Sequence, residues 1–388
     1  MNNFQFVNPT KIIFGQGTVD QLGNEVAGYA KNVLLMYGGG SMKRTGLYNR
    51  VMSQLSAKGI EVHELGGVEP NPRLTTVRKG IDICRKNSVE LVLAVGGGSV
   101  IDAAKAVACG VPFEGDVWDF YMQKAVPESA LPIGTVLTIS ATASEMNGAT
   151  VITNWEENLK RVFRSVHTFP AFSILDPILT YTVPIDQTIN GSVDMMSHAF
   201  EQYFSLTTDT PLQERFCESI IKTVIENVDK VLLNPEDYSS RANLMLCGTY
   251  AWNAGMISVG MTGDWGSHLI EHEVSAIYDI AHGAGLAIIF PNWMKYVYRE
   301  RIDRFVQFAI RVWDIDPTGK TEEEVALAGI QATRDFFNRI GAPATLADVG
   351  VGDENFNNMA EKAVRFGPIG QFKKLEQKDI VEILRMSQ

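Results

Sequence analysis

The chain has 388 residues, 45% of them apolar and 20% charged, a balance that suits two globular domains with a sizeable core and argues against disorder. Its 34 basic and 45 acidic residues leave a formal charge of −11, a surface that repels phosphate backbones and makes nucleic acid a poor partner. Cys84, Cys109, Cys217 and Cys247 form no CxxC pair, so neither a thiolate zinc site nor a disulfide framework is expected. The N-terminus lacks a basic region followed by an apolar stretch, and no apolar run approaches the roughly 20 residues of a spanning helix. The longest such run, around Leu286–Phe290, stops at Pro291. A soluble, cytoplasmic protein with no membrane association is therefore predicted.

In chain order, Val33–Tyr37 reads as a strand ending in Gly38-Gly39-Gly40-Ser41, followed by an amphipathic helix over Thr45–Lys58. Ile60–Leu65 is a second strand, and a turn at Pro70-Asn71-Pro72 leads to a helix over Thr75–Asn87. Leu91–Val95 is a buried strand ending in Gly96-Gly97-Gly98-Ser99, with a helix over Ile101–Cys109, and Pro132–Ser140 supplies a further strand. Alternating strand and helix predicts a parallel sheet covered on both faces. The strand–GGGS unit occurs twice, 58 positions apart, with no third copy, so it is not a solenoid repeat.

Beyond Pro184 the alternation gives way to helical patterns over Ser192–Phe204, Thr210–Val231 and Ser240–Ile257. Thr321–Glu324 reads as a capping box opening a helix that runs to about Ile340. A boundary is expected between Asp176-Pro177 and Asn190-Gly191. The predicted fold is an α/β N-terminal dinucleotide-binding domain over residues 1–184, then an all-α C-terminal metal-binding domain over residues 185–388.

Two groups of residues carry chemistry. A strand feeding Gly-Gly-Gly-Ser and then a helix exposes backbone amides and a helix N-terminus at the carboxyl edge of the sheet, which suits phosphate. The GxGxxG spacing is absent, so dinucleotide binding is argued from that geometry and from the presence of two such turns. Asp102, early in the helix after Ser99, is equally a helix-dipole partner or a cofactor contact. In the helical half, Asp194 and His198 stand four apart on one face, as do His268 and His272, and His282-Gly283 follows closely. Four of the six histidines lie in these segments. Imidazoles with a carboxylate suit one divalent cation, zinc or ferrous iron. Glu271 precedes His272 instead of following His268, so the HExxH order of a zinc protease is missing. His63 and His167 have no partner at ligand spacing.

Phe14-Gly-Gln-Gly17, Tyr37–Ser41, Gly66–Pro72, Ala94–Asp102, Asp194-(x)3-His198 and Gly266-Ser-His268-(x)3-His272-(x)9-His282-Gly283 together span nearly the whole chain. In them the sequence resembles the iron-activated, group III alcohol dehydrogenases, and within these the NADPH-dependent butanol dehydrogenase and aldehyde reductase branch. The resemblance implies hydride transfer between a nicotinamide cofactor and a small aliphatic alcohol or aldehyde. It implies a metal held by Asp194, His198, His268 and His282, with His272 outside that set as a proton relay or a substrate contact. It places Gly38, Gly39 and Ser41 at the adenosine ribose with Asn71 nearby, and Gly97, Gly98 and Ser99 at the pyrophosphate. Asp102, Thr138, Thr142 and Asn147 fall toward the nicotinamide, and Lys160 where the family has a cofactor-contacting lysine. Family members commonly form homodimers.

NAD-preferring relatives carry an acidic residue after the first strand. This chain has none in Tyr37–Gly40, and Lys43 and Arg44 follow, which predicts NADP(H) over NAD(H). The alternatives are a lyase of the dehydroquinate synthase type and a non-catalytic dinucleotide-binding metal protein. Trp252, Met256 and Phe290 are candidate apolar surroundings for an aliphatic substrate.

Overall fold

The computed structural model describes residues 1–253 and 255–388. It resolves into two compact units. One comprises Val7–Pro184 with Asn234–Thr249, and the other Met1–Phe6, Ile185–Leu233 and Tyr250–Gln388.

The first unit runs β1 (Lys11–Phe14), α1 (Leu22–Ala27), β2 (Asn32–Tyr37), α2 (Ser41–Arg44), α3 (Leu47–Ala57), β3 (Glu61–Leu65) and α4 (Leu74–Asn87). It continues with β4 (Leu91–Gly96), α5 (Gly98–Gly110), α6 (Trp118–Tyr121), β5 (Ile133–Leu137), β6 (Ala149–Asn154), β7 (Leu159–Arg164) and β8 (Phe172–Leu175). Six strands form one parallel sheet in the order β1-β8-β5-β4-β2-β3, and β6 and β7 pair as a separate antiparallel hairpin. The central strands read as unbroken apolar runs because both faces are covered. Leu34, Met36, Val92 and Ala94 enter one core with Val77, Ile101 and Val107. Val33, Leu35, Leu91 and Leu93 enter the other with Leu22, Val51 and Leu55.

The expected parallel sheet is present, with differences at its ends. The helix expected over 45–58 is α3, which starts at Leu47; the short α2 over Ser41–Arg44 precedes it, and Gly46 at a left-handed φ of 78° parts the two. Helix α5 starts at Gly98, inside the glycine turn, and β5 ends at Leu137. The strands β1, β6, β7 and β8 carried no clear period in the sequence. In β6, for example, Thr150 and Thr153 are buried polar residues that blur the alternation.

The second unit is helical. It is built from α7 (Ile185–Tyr203), α8 (Pro211–Leu233), the last residues of α9 (Tyr238–Ala251), α10 (Gly266–Tyr278), α11 (His282–Val297), α12 (Ile302–Trp313), α13 (Glu322–Arg339), α14 (Phe356–Ala363) and α15 (Gln377–Met386). The capping box forms as expected, with Thr321 and Glu324 each accepting from the other's backbone N–H at the start of α13. Helix α11 carries Pro291 inside it and continues to Val297. Two expectations are corrected. The helix expected from Ser192 already starts at Ile185, so Asn190-Gly191 lies inside α7, where Gly191 is buried. The helix expected to reach Ile257 ends at Ala251, and a short 3-10 turn follows at Met256–Ser258. Phe200, Phe204, Phe290, Trp293, Phe305 and Phe308 stack into an aromatic core, with ring centroids 4.4 to 6.0 Å apart in the closer pairs. All four cysteines are buried and none is in a disulfide, and burial pushes the Cys84 and Cys109 thiols up to about 12, which leaves them unreactive at neutral pH.

Candidate metal centre and cofactor edge

Asp194, His198 and Glu201 recur on one face of α7 at i, i+4 and i+7, and all three are buried. His268 and Glu271 lie one turn apart on α10, and His282 opens α11. The ligand atoms of Asp194, His268 and His282 lie within 4.8 Å of one another. Asp194 Oδ1 is 3.7 Å from His282 Nε2 and 3.7 Å from His198 Nδ1. Those spacings are close to the roughly 3.4 Å edge of a tetrahedron with metal–nitrogen bonds of about 2.0–2.1 Å. The His198 and His268 rings stack at 4.9 Å.

Two of the imidazoles have their outer nitrogen tied down by a glutamate that the sequence did not point out. His268 Nδ1 bonds Glu201 Oε1 at 2.7 Å, which leaves Nε2 buried and without a hydrogen-bond partner. A buried nitrogen lone pair in that state costs free energy unless a cation takes it. His282 Nδ1 bonds Glu271, and Ser275 Oγ donates to the same carboxylate. Glu201 also accepts from Ser267 Oγ at 2.6 Å. Carboxylate–imidazole pairs of this kind set the tautomer and aim the other nitrogen at a metal. The donor set therefore fits one divalent cation. The signal for both glutamates was in the sequence: Glu201 continues the Asp194–His198 face, and Glu271 follows His268 by three. Without tertiary contacts, an inward-facing glutamate looks like any other.

Two glycines let the pieces meet. A Cβ on Gly283 would lie 2.1 Å from the Asn190 carbonyl oxygen, so α11 presses on α7 beside His282 only because that side chain is missing. A Cβ on Gly285 would strike Glu271 Cγ at 2.6 Å. His272, also buried, belongs with Glu271 and His282 in a second group of ligand atoms within 4.8 Å, its ring 5.5 Å from that of His282. It does not join the group that contains Asp194. Trp252 and Trp265 flank His198, with rings at 5.5 and 6.0 Å. Phe290 is fully buried in the aromatic core, so it does not line this centre as expected, whereas Trp265, not singled out in the sequence, does.

In the first unit, both GGGS turns leave the carboxyl ends of neighbouring strands, β2 and β4. A Cβ on Gly38 would meet Val100 Cγ2 at 3.7 Å, so the turns are adjacent, while one on Gly39 meets nothing. The segment leading to Asn71 is held on the first turn by Gly67 N–H donating to the Gly38 carbonyl at 3.0 Å, and Asn71 itself is left-handed at φ 52°. Gly97 caps α5, whose first amides belong to Gly98 and Ser99. A Cβ on Gly98 would sit 2.3 Å from Thr142 Oγ1. Thr138 N–H donates to the Gly96 carbonyl at 3.0 Å. Asp102 accepts from Ser144 Oγ at 2.5 Å and from Val151 N–H at 2.9 Å. Asn147 is buried, donating to the Ala143 carbonyl and accepting from Lys105 and Ala149. Lys160, on β7, is buried too.

Residues 9–177 match the model of the iron-containing alcohol dehydrogenases, and residues 188–388 match the C-terminal model of the Fe-containing alcohol dehydrogenase family. The chain belongs to the iron-containing alcohol dehydrogenase family. Among its relatives, the probable NADH-dependent butanol dehydrogenase 1 of Bacillus subtilis is 52% identical over 387 residues, covering all of both chains. The NADPH-dependent aldehyde reductase YqhD of Escherichia coli is 40% identical over 95% of this chain and 94% of its own. The crystal structure of NADH-dependent butanol dehydrogenase A from Thermotoga maritima superposes with a TM-score of 0.96 at 43% identity, covering 100% of this chain and 99% of that one. The protein is thus an oxidoreductase of the alcohol dehydrogenase and aldehyde reductase class that uses a metal and a nicotinamide cofactor. The lyase and non-catalytic alternatives fall away. No helix among the described residues is long and apolar enough to cross a membrane.

Proposed function

We propose that this enzyme interconverts small aliphatic aldehydes and alcohols with NADP(H), the metal being held by Asp194, His198, His268 and His282. The observation that carries the metal assignment is the convergence of Asp194, His268 and His282 ligand atoms within 4.8 Å, with two imidazoles each braced by a buried glutamate. In this reading residues 1–184 serve as the cofactor domain and 185–388 as the metal domain. When bound, the cation supplies a Lewis acid to the substrate oxygen, and three imidazoles with one carboxylate suit ferrous iron and zinc alike.

The chain's own residues do the rest. Glu201 and Glu271 hold the His268 and His282 rings in the tautomer that aims the opposite nitrogen inward. A ring nitrogen of His272 delivers the proton that the substrate oxygen gains as hydride reaches its carbon. Trp252 and Trp265 give an apolar wall beside His198, which favours an unfunctionalised alkyl chain. Gly38, Gly39, Ser41 and Asn71 receive the adenosine ribose, and Gly97, Gly98 and Ser99 receive the pyrophosphate at the start of α5. Asp102, Thr138, Thr142, Asn147 and Lys160 serve the nicotinamide half, Asn147 by shaping the loop, since its amide is spent on protein partners.

The names of the relatives divide between NADH and NADPH. The NADP(H) preference rests on the absence of an acid in Tyr37–Gly40 and on Lys43, which lies 5.4 and 4.8 Å over the Tyr37 and Tyr48 rings beside the first turn. Glu64 accepts from both tyrosine hydroxyls at 2.9 and 2.8 Å, which engages its carboxylate. A cytoplasmic homodimer completes the proposal, and sedimentation at twice the chain mass would support the dimer. The deciding experiment strips the metal with a chelator, reloads zinc and ferrous iron separately, and follows NADPH oxidation with butanal, with NADH beside it. Turnover restored by metal with higher kcat/KM for NADPH is expected. Metal-independent turnover, or preference for NADH, would defeat the corresponding half of the reading.

A further inference from the structure

Lys105 has no place in the reaction described so far, yet it is one of the largest fully buried side chains in the protein. Burying an ammonium is costly unless every N–H finds an acceptor. Here all three do. Nζ donates to Ser144 Oγ at 2.8 Å, Asn147 Oδ1 at 3.1 Å and the Ala149 carbonyl at 2.8 Å. Ser144 Oγ, with its lone pair engaged by Lys105, turns its own proton onto Asp102 Oδ1 at 2.5 Å. The other oxygen of Asp102 accepts from Val151 N–H. One cation therefore joins helix α5, just past the pyrophosphate turn, to the loop 142–149.

That loop needs holding. Ala143 sits at a left-handed φ of 54°, unusual for a residue with a Cβ, and is fully buried. Thr142, one residue earlier, packs directly on Gly98. Burial pushes the Lys105 ammonium down to about 8, with Asp102 and Glu145 pulling the other way, so its charge is balanced by both carboxylates.

We propose that Lys105 is a positioning residue for the nicotinamide half of the cofactor. Through Ser144 it fixes the orientation of Asp102, and through Asn147 and Ala149 it fixes the loop that carries Thr142. The proposal rests on the reading that Asp102 and this loop serve the nicotinamide half. It separates Lys105 from the adenosine half, which the first glycine turn and the start of α5 hold with backbone amides.

The test compares Lys105→Met, Ser144→Ala and Asp102→Asn in the metal-loaded full-length enzyme. Dissociation constants are measured for two pairs: NADPH against 2′,5′-ADP, and NADH against ADP. Lys105→Met, which removes all three Nζ hydrogen bonds, is expected to weaken the dinucleotides about 10- to 100-fold, with the adenosine fragments within about threefold of wild type. Ser144→Ala breaks only the link to Asp102 and shifts affinity in the same sense, which keeps the test intact if Lys105→Met fails to fold. A merely structural lysine would lower the melting temperature and weaken dinucleotide and fragment alike, and that result overturns the proposal. Loss with Asp102→Asn but not with the other two overturns the role of Lys105 alone. Unchanged binding in Asp102→Asn overturns the nicotinamide reading and the proposal with it.

Discussion

Replacing Gly283 with alanine places a methyl carbon 2.1 Å from the Asn190 carbonyl oxygen and 2.6 Å from its carbonyl carbon. Both obstacles are backbone atoms within α7, so no rotamer change relieves the clash. Restoring the 3.0 Å that real Cβ contacts keep requires α11 to withdraw by about 0.9 Å. His282 is the neighbouring residue and moves with it, opening the 3.7 Å approach of its Nε2 to Asp194. Overpacking of this kind costs about 1–3 kcal/mol of stability, and a ligand displaced by nearly an ångström lowers metal affinity by roughly tenfold or more. The assay is metal retention against a competing chelator, read by elemental analysis, beside a thermal melt of the same sample. The control is Gly39→Ala, whose added Cβ meets nothing within 4 Å and which should leave metal affinity unchanged. Wild-type metal affinity in Gly283→Ala would refute the argument that glycine is needed to bring His282 to Asp194.

Glu201→Gln keeps the shape but weakens the acceptor for His268 Nδ1, and should cost about 10- to 100-fold in metal affinity with the fold retained by circular dichroism. Equal affinity would show that Glu201 is only a structural partner. His272→Phe should hold metal at wild-type stoichiometry while lowering kcat by about 10²-fold or more and removing one limb of the pH profile. An unchanged rate and profile would end its role as proton donor. In Gly98→Ala the new methyl would meet Thr142 Oγ1 at 2.3 Å, so dinucleotide KM should rise at least about tenfold while metal content stays intact. Lys43→Ala should reduce the NADPH-to-NADH ratio of kcat/KM by about tenfold, and an unaltered ratio would remove the basis for the NADP(H) preference.

Much of this enzyme is legible without coordinates. Continuous apolar runs such as Val33–Tyr37 and Leu91–Val95 can only be strands buried on both faces, and each ends in glycines that the chain uses to turn into a helix. Helical spacing puts Asp194 with His198, and His268 with His272, on shared faces because 3.6 residues make a turn. Those local periods bound the fold class and point to the metal ligands. Local spacing has no means of counting partners across helices. It left His272 undistinguished from His268, missed Glu201 and Glu271 as imidazole partners, and started the first long helix at Ser192 when packing begins α7 at Ile185. Phe290 looked as available to substrate as Trp252, until the aromatic core claimed it. Lys105 shows the division most clearly: its sequence context is a helix rich in alanine, and only the approach of the loop 142–149 supplies the three acceptors that make a buried ammonium tolerable.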